Sequence, residues 1–362
     1  MLYILIAILM FGILIALHEF GHFAAAKLCG VKVNEFSIGM GPQIIHKKGK
    51  ETDYSFRLFP IGGFCAMEGE EEGVSNEPRA FPNRPWWQRL IILLAGVTMN
   101  FITGVVILVC LFSTADQFYA PVIKDVMPEA EASAVLQPGD RFLEVDGHGV
   151  YLYQDIFFFL DRVQGEELDL VVERNGERVA LKNVPLSLMK DDQTGQERLM
   201  LGIYTGVTEE ATLGLKLRNT WFQALDYVRM VWYGLGDLIS GAVGLRDLSG
   251  PVGIIGMVGD LGEQGAEIAE AAGKSAFLGA MTNILSFTAF ISINLCVMNL
   301  LPIPALDGGQ ILLMAINGIL LKVRGKKLDP KYQGAVSMIS FGLLLLLMLA
   351  VTVSDILKEF GV

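Results

Sequence analysis

The run Leu2–His22, LYILIAILMFGILIALHEFGH, decides how this chain is read. From Leu2 to Leu17 it carries no charged side chain, and His18, Glu19 and His22 then follow inside the same apolar stretch. Three further stretches also lack charge: Leu90–Ala115, Ser275–Leu306 and Tyr332–Ser354. As helix, about 20 apolar residues suffice to cross a hydrocarbon core, so each is long enough. The 362 residues are 52% hydrophobic with a mean hydropathy of +0.47, which places the chain among membrane proteins rather than soluble domains. The first run has no basic residue before it and no small-residue cleavage site after it, which predicts a retained helix rather than a signal peptide. Four transmembrane helices are expected.

Between the first two runs, residues 31–89 are polar and rich in turn formers. Tyr54–Leu58 alternates at period two and His46–Lys50 reads as a hairpin tip, with Gly39/Gly41 and Gly62/Gly63 as punctuation. A small membrane-associated β hairpin unit is expected there, followed by surface loop at Glu68–Glu72 and Pro78–Pro85. Residues 116–208 predict one inserted α+β domain. Its order is a strand at Val122–Val126, a short helix at Glu131–Leu136, a Pro138-Gly139-Asp140 turn and a strand at Arg141–Val145. A helix at Gln154–Val163 and two strands about the Asn175-Gly176 hairpin follow. In residues 209–274, Trp221, Leu225, Val228, Trp232 and Leu235 recur at helical spacing with Asp226 and Arg229 opposite. That pattern suits a helix lying on a membrane surface or a plain packing helix. The expected spans are then 1–30, 90–115, 275–321 and 332–355.

Basic residues orient the chain. Lys322, Arg324, Lys326, Lys327 and Lys331 precede the last span, Lys27 and Lys32 follow the first, and Arg84 and Arg89 precede the second. An alternating path puts all of these in the cytoplasm, and both termini and the inserted domain outside it. The net charge of −11 argues against a nucleic-acid partner. The four cysteines show no CxxC spacing, so neither a disulfide framework nor a cysteine-rich zinc site is expected.

His18-Glu19-Phe20-Gly21-His22 fits H-E-x-x-H on a helix. Histidines four apart share one face, so both imidazoles can reach one zinc ion, while the adjoining glutamate can take a proton from water. His18 falls about 24 Å along the span at ~1.5 Å per residue, inside a core of ~30 Å, where ionisable groups are costly and usually functional. A catalytic zinc takes a third protein ligand. Asp307 is the only charged residue between Lys274 and Lys322, and it sits in Asn299–Gly309, NLLPIPALDGG, where prolines and glycines break the helix. Irregular backbone at membrane depth is tolerated only beside a cavity or protein. Asp307 is therefore the candidate third ligand, and an N-cap role for it need not exclude ligation.

HEFGH in the first span and NLLPIPALDGG late in the chain resemble the two signature motifs of the site-2 protease family of intramembrane zinc metalloproteases. Phe59–Phe64 and Leu94-Ala95-Gly96 through Asn100-Phe101 resemble motifs of its bacterial regulator-of-sigma-E protease group, and residues 121–185, with VLQPGDRFLEVDG, resemble a PDZ domain. Two departures are Val97, where the family often has proline, and a single PDZ-like domain where some relatives have two. The resemblance implies a polytopic α-helical protein of the bacterial inner membrane with one PDZ-like domain. It implies Zn2+ held by His18, His22 and Asp307, Glu19 as general base, and Asn299 holding the substrate backbone. The active site would lie near the cytoplasmic face. Expected substrates are single-span membrane proteins such as anti-sigma factors or signal peptide remnants, cut within the lipid bilayer. Two rivals are a metal-ion transporter, against which span two offers only Thr98, Asn100 and Thr103 as polar lining, and a non-catalytic PDZ scaffold, which needs no Glu19.

Overall fold

The computed structural model describes residues 2–70, 75–190, 197–326 and 328–359. The expected loop residues Glu71 and Glu72 and the basic residue Lys327 lie outside the described residues. The chain divides into two compact units, one formed by Met1–Leu111 with Tyr227–Val362 and the other by Phe112–Asp226.

In the first unit, α1 (Leu2–Leu28) is apolar nearly all round, as a helix in lipid should be. It exposes Leu5, Leu9 and Ile13, and packs Ala7, Met10 and Leu14 against Val258, Ile284 and Ile291. Further along, Ala25 and Ala26 join Val31, Val33, Cys65, Met67, Ile92 and Leu93 in a second apolar cluster. The segment that carries His18 and His22 runs between these two clusters. Gly30, at φ +71, ends the helix in the left-handed conformation that glycine adopts at no steric cost. Arg79 and Arg84 donate to its carbonyl oxygen.

The strands β1 (Val33–Lys48) and β2 (Asp53–Met67) pair antiparallel, and the ladder is used twice. Glu35 lies opposite both Asp53 and Ala66, and Ser37 opposite both Ser55 and Phe64. Gln43–Lys48 lies opposite Arg57–Asp53. Four extended segments therefore stand side by side in the order 43–48, 53–57, 33–38 and 63–67. The bends that allow this fall at Gly39, Gly41 and Gly62, whose φ values of +87, +85 and +102 exclude most side chains. The turn itself lies between the strands, after Lys48 rather than at His46–Lys50, because His46 and Lys47 are held in the ladder opposite Ser55 and Tyr54. Glu35 ties the segments together, accepting hydrogen bonds from Ser55 at 2.6 Å, Arg57 at 2.7 Å and Gln43 at 3.3 Å. Partial burial alone would raise its carboxyl pKa, but the bonds from Ser55 and Arg57 outweigh that and hold it below the ordinary range.

A short 3-10 turn at Phe81–Asn83 leads into α2 (Trp86–Ser113), the second apolar helix.

In the second unit, β3 (Gln117–Tyr119) and β4 (Asp125–Val126) are short, and the expected strand at 122–126 is reduced to its last two residues. Ile123 instead exchanges backbone bonds with Gly139 and Asp140 in the turn. The expected helix at 131–136 is a 3-10 turn, Glu131–Ala134. Pro138 stops it, since it offers no N–H and disfavours helical geometry at Gln137. Then come β5 (Arg141–Val145), β6 (His148–Gly149), α3 (Tyr153–Leu160), β7 (Glu167–Arg174) and β8 (Glu177–Pro185). These strands make one sheet in the order β6-β5-β7-β8, with Asn175 and Gly176 both at positive φ in the tight turn. The α3 N-terminus is capped by Asp155, which accepts from the Tyr151 and Leu152 N–H groups. Arg174 donates two 2.7 Å bonds to the buried Asp140, locking the start of β5 to the end of β7. The strands β9 (Ser187–Lys190) and β10 (Glu197–Met200) pair with each other, β11 (Ile203–Tyr204) with β4, and β12 (Thr208–Glu210) with β3.

The helix α4 (Leu213–Ser240) crosses the boundary between the units in sequence. Asn219, Gln223 and Asp226 are buried while Leu213, Leu217, Trp221, Trp232 and Ile239 are exposed. In the first unit again, α5 (Pro251–Ala271), α6 (Ala276–Asn299), α7 (Asp307–Arg324) and α8 (Pro330–Glu359) complete the chain. Asp355 on α8, 5% exposed, accepts from the Gly250 and Gly253 N–H groups at 2.8 and 2.9 Å. A carboxylate at a helix N-terminus satisfies otherwise orphaned donors and complements the dipole.

Among the described residues, four helices are long and apolar enough to cross a membrane: Tyr3–Leu28, Trp86–Ser113, Ala276–Asn299 and Lys331–Lys358. At ~1.5 Å per residue, α6 alone extends about 36 Å. The break between α6 and α7 therefore falls at the end of a span already complete.

Candidate metal centre

Three side chains from two helices meet at one point. The helix α1 supplies His18 and His22 from adjacent turns, and α7 supplies Asp307 as its first residue. Among the described residues these three form the one group of His, Cys, Asp or Glu side chains placed to hold a metal ion. His18 Nε2 lies 3.2 Å from His22 Nε2, and Asp307 Oδ2 lies 3.3 Å and 3.4 Å from them. Ligand bonds of ~2.0–2.2 Å at tetrahedral angles require edges of about 3.3–3.6 Å, so one ion fits all three atoms. The side chains are only 9–17% exposed. Asp307 Oδ2 is buried without a hydrogen-bond donor, as expected of an oxygen reserved for a cation.

Backbone packing sets this geometry. Pro302 and Pro304 break the helix after Asn299, and α7 restarts at Asp307. A Cβ on Gly308 would come within 2.5 Å of the Leu301 carbonyl oxygen, and one on Gly309 within 2.5 Å of the Pro304 Cα. Only glycines let the restarted helix fold back so tightly on the connecting loop. Across the site, α2 touches α1 through Gly21 and Gly96. A Cβ on Gly21 would lie 2.9 Å from the Gly96 Cα, and a Cβ on Gly96 would overlap the His22 ring. That close approach lets the Ile92 carbonyl oxygen reach His22 Nδ1 at 2.8 Å. A carbonyl only accepts, so His22 carries its proton on Nδ1 and turns the Nε2 lone pair inward.

Glu19 sits beside this trio, within electrostatic reach of all three groups, and accepts a bond from the Cys65 backbone N–H. The β2 segment that supplies that donor is an edge of the β unit. Asn299, at the C-terminus of α6, is half-buried and is not one of the three grouped residues. Two further neighbours carry no local sequence signal. Gly96 holds α2 against His22, and Asn100 Nδ2 lies 3.2 Å from His18 Nδ1. Each lies in a motif that resembles the family's, but no local pattern marks a side chain in one span as touching a ring in another.

The sequence pattern of peptidase family M50 matches residues 6–347. The chain belongs to peptidase family M50. It is thus an intramembrane zinc metalloprotease of the site-2 protease family, a multi-pass membrane protein whose cofactor is zinc and whose substrates are embedded in lipid. A Clostridium acetobutylicum protein bearing a zinc metalloprotease name is 36% identical over 98% of this chain and 97% of its own length. The zinc metalloproteases RasP of Shouchella clausii and Geobacillus kaustophilus are 30% and 29% identical, each over 98% of this chain and 98% and 97% of their own. M50 membership favours neither the transporter nor the scaffold reading.

Proposed function

We propose that His18, His22 and Asp307 hold the zinc ion and that Glu19 is the general base of peptide hydrolysis. The observation that carries this is the 3.2–3.4 Å spacing of the three ligand atoms. Zinc bound there supplies Lewis acidity toward the scissile carbonyl and makes water a nucleophile near neutral pH. Glu19 then accepts the proton of the attacking water and delivers it to the departing amide nitrogen. The Cys65 N–H keeps its carboxylate aimed while the ion is held by its neighbours. Asn299, eight residues before Asp307, is proposed to hold the substrate backbone as the chain leaves α6. The deciding experiment pairs zinc analysis with cleavage of a single-span test substrate by wild-type and Glu19→Gln protein.

A substrate helix has its own backbone bonds satisfied and must unwind before Glu19 can act on it. The β unit offers, along its outer 43–48 segment, an edge on which an extended segment can pair. The exposed Met40, Ile44, Ile45, Phe56 and Leu58 support its association with the membrane. Ile44→Pro is expected to lower cleavage several-fold with helical content unchanged. Unchanged cleavage by a folded variant would exclude this edge as the pairing site.

The sheet β6-β5-β7-β8 with α3 supports the PDZ-like reading of the second unit. Lys27 and Lys32, Arg84 and Arg89, and Lys322, Arg324, Lys326 and Lys331 support the orientation with this unit and both termini outside the cytoplasm of a bacterial inner membrane. The exposed stripe Leu213, Leu217, Trp221, Trp232 and Ile239 supports α4 as a helix resting on the bilayer surface. Single-span membrane proteins already cut outside, such as anti-sigma factors or signal peptide remnants, are the proposed substrates. Titration of the PDZ-like unit of the full chain with C-terminal peptides is expected to show saturable binding. Exclusion of intact substrates without any peptide binding would instead make it a size barrier.

A further inference from the structure

Asn100 is 1% exposed in the middle of α2, where an uncompensated amide is expensive. Its backbone is fixed by Ser292 of α6, whose hydroxyl donates to the Asn100 carbonyl oxygen at 2.7 Å. Its side chain ends against His18, with Nδ2 3.2 Å from Nδ1. On the other branch, Oδ1 is buried with no donor among the described residues.

This pattern conflicts with the rest of the site. His18 Nε2 points at His22 Nε2 and Asp307 Oδ2, so for its lone pair to face the shared ion the ring proton must sit on Nδ1. An amide N–H facing that Nδ1–H would set two donors against each other. A half-turn of the carboxamide exchanges oxygen and nitrogen, which have nearly the same outline, and moves no other atom. The oxygen then accepts the Nδ1 proton, and the orphaned acceptor is satisfied by the same rotation. The Ile92 carbonyl does the same for His22.

We infer that Asn100 is a positioning residue of the zinc site, its amide oxygen accepting the Nδ1–H of His18 to hold that imidazole in the tautomer and orientation that present Nε2 to the ion. This rests on the reading of His18, His22 and Asp307 as zinc ligands. Hydrogen-bond acceptors on the far nitrogen of metal-bound imidazoles orient the ring and raise its basicity, and their loss costs about 10–100-fold in metal affinity.

The test is zinc affinity of the purified full chain, measured by competition with a chelator for wild type, Asn100→Leu, Asn100→Asp and His22→Ala. Asn100→Leu keeps the volume and removes the acceptor, and is expected to bind zinc about 10–100-fold more weakly. Asn100→Asp offers only acceptors and is expected to bind at least as tightly as wild type. A Co2+-loaded sample should show altered d–d absorption in the leucine variant and near wild-type bands in the aspartate variant. Equal affinity of the leucine variant and wild type would overturn the inference. So would weakening of the aspartate variant, which makes the amide a donor; this arm decides alone if the leucine variant does not fold. Undiminished zinc in His22→Ala would instead overturn the ligand assignment.

Discussion

Glu19→Gln is expected to leave one zinc per chain and to slow cleavage of a membrane-embedded substrate by about 10²–10⁴-fold, the contribution of a positioned general base. Glutamine has the shape of glutamate and keeps an oxygen that can accept the Cys65 N–H, so the β2 edge has no reason to move. What it lacks is basicity. Its amide cannot take a proton from water or return one to the leaving nitrogen, while His18, His22 and Asp307 remain free to hold the ion. Zinc content and cleavage should therefore separate cleanly. Equal cleavage by variant and wild type would place the base elsewhere, and loss of zinc in the variant would make Glu19 a ligand.

Asp307→Asn is expected to do the reverse, losing the metal and cleavage with it. The amide keeps the size of the carboxylate but gives up the negative charge that faces both Nε2 atoms at 3.3 and 3.4 Å. Loss of a ligand should weaken zinc binding beyond the ~10–100-fold that loss of a ring's hydrogen-bond partner costs. The loss should not be a folding effect. An acidic residue in the first turn of α7 contributes only about 0.3–1 kcal/mol through the helix dipole. Chelator competition and a thermal melt of metal-free protein check both halves. A variant that retains zinc at wild-type affinity would remove Asp307 from the ligand set.

The legible and illegible parts of this chain divide by the range of the interactions involved. His18, Glu19 and His22 share one helix face, and Asp307 is the lone charge in a long apolar stretch, so both signals are local. The β unit was legible as alternation and glycine punctuation. Its doubled ladder was not, because the same alternation suits a simple hairpin. In the inserted unit, Arg141–Val145 and the Asn175-Gly176 turn stand where local propensity puts them, while Ile123 gives its backbone bonds to the turn at Gly139 and Asp140, brought near by packing.

By itself the sequence determined the apolar spans, the histidine pair with its glutamate, and the broken segment that isolates a carboxylate, since each follows from period, charge or backbone restriction within a few residues. Only the tertiary structure decided that Asp307 meets the histidines with the spacing of a single ion. It also decided that Gly96 must be bare where α2 crosses His22, and that Asn100 of α2 ends on His18 of α1. Those facts depend on where helices far apart in sequence cross, which is set by the packing of whole faces and leaves no mark at any one residue.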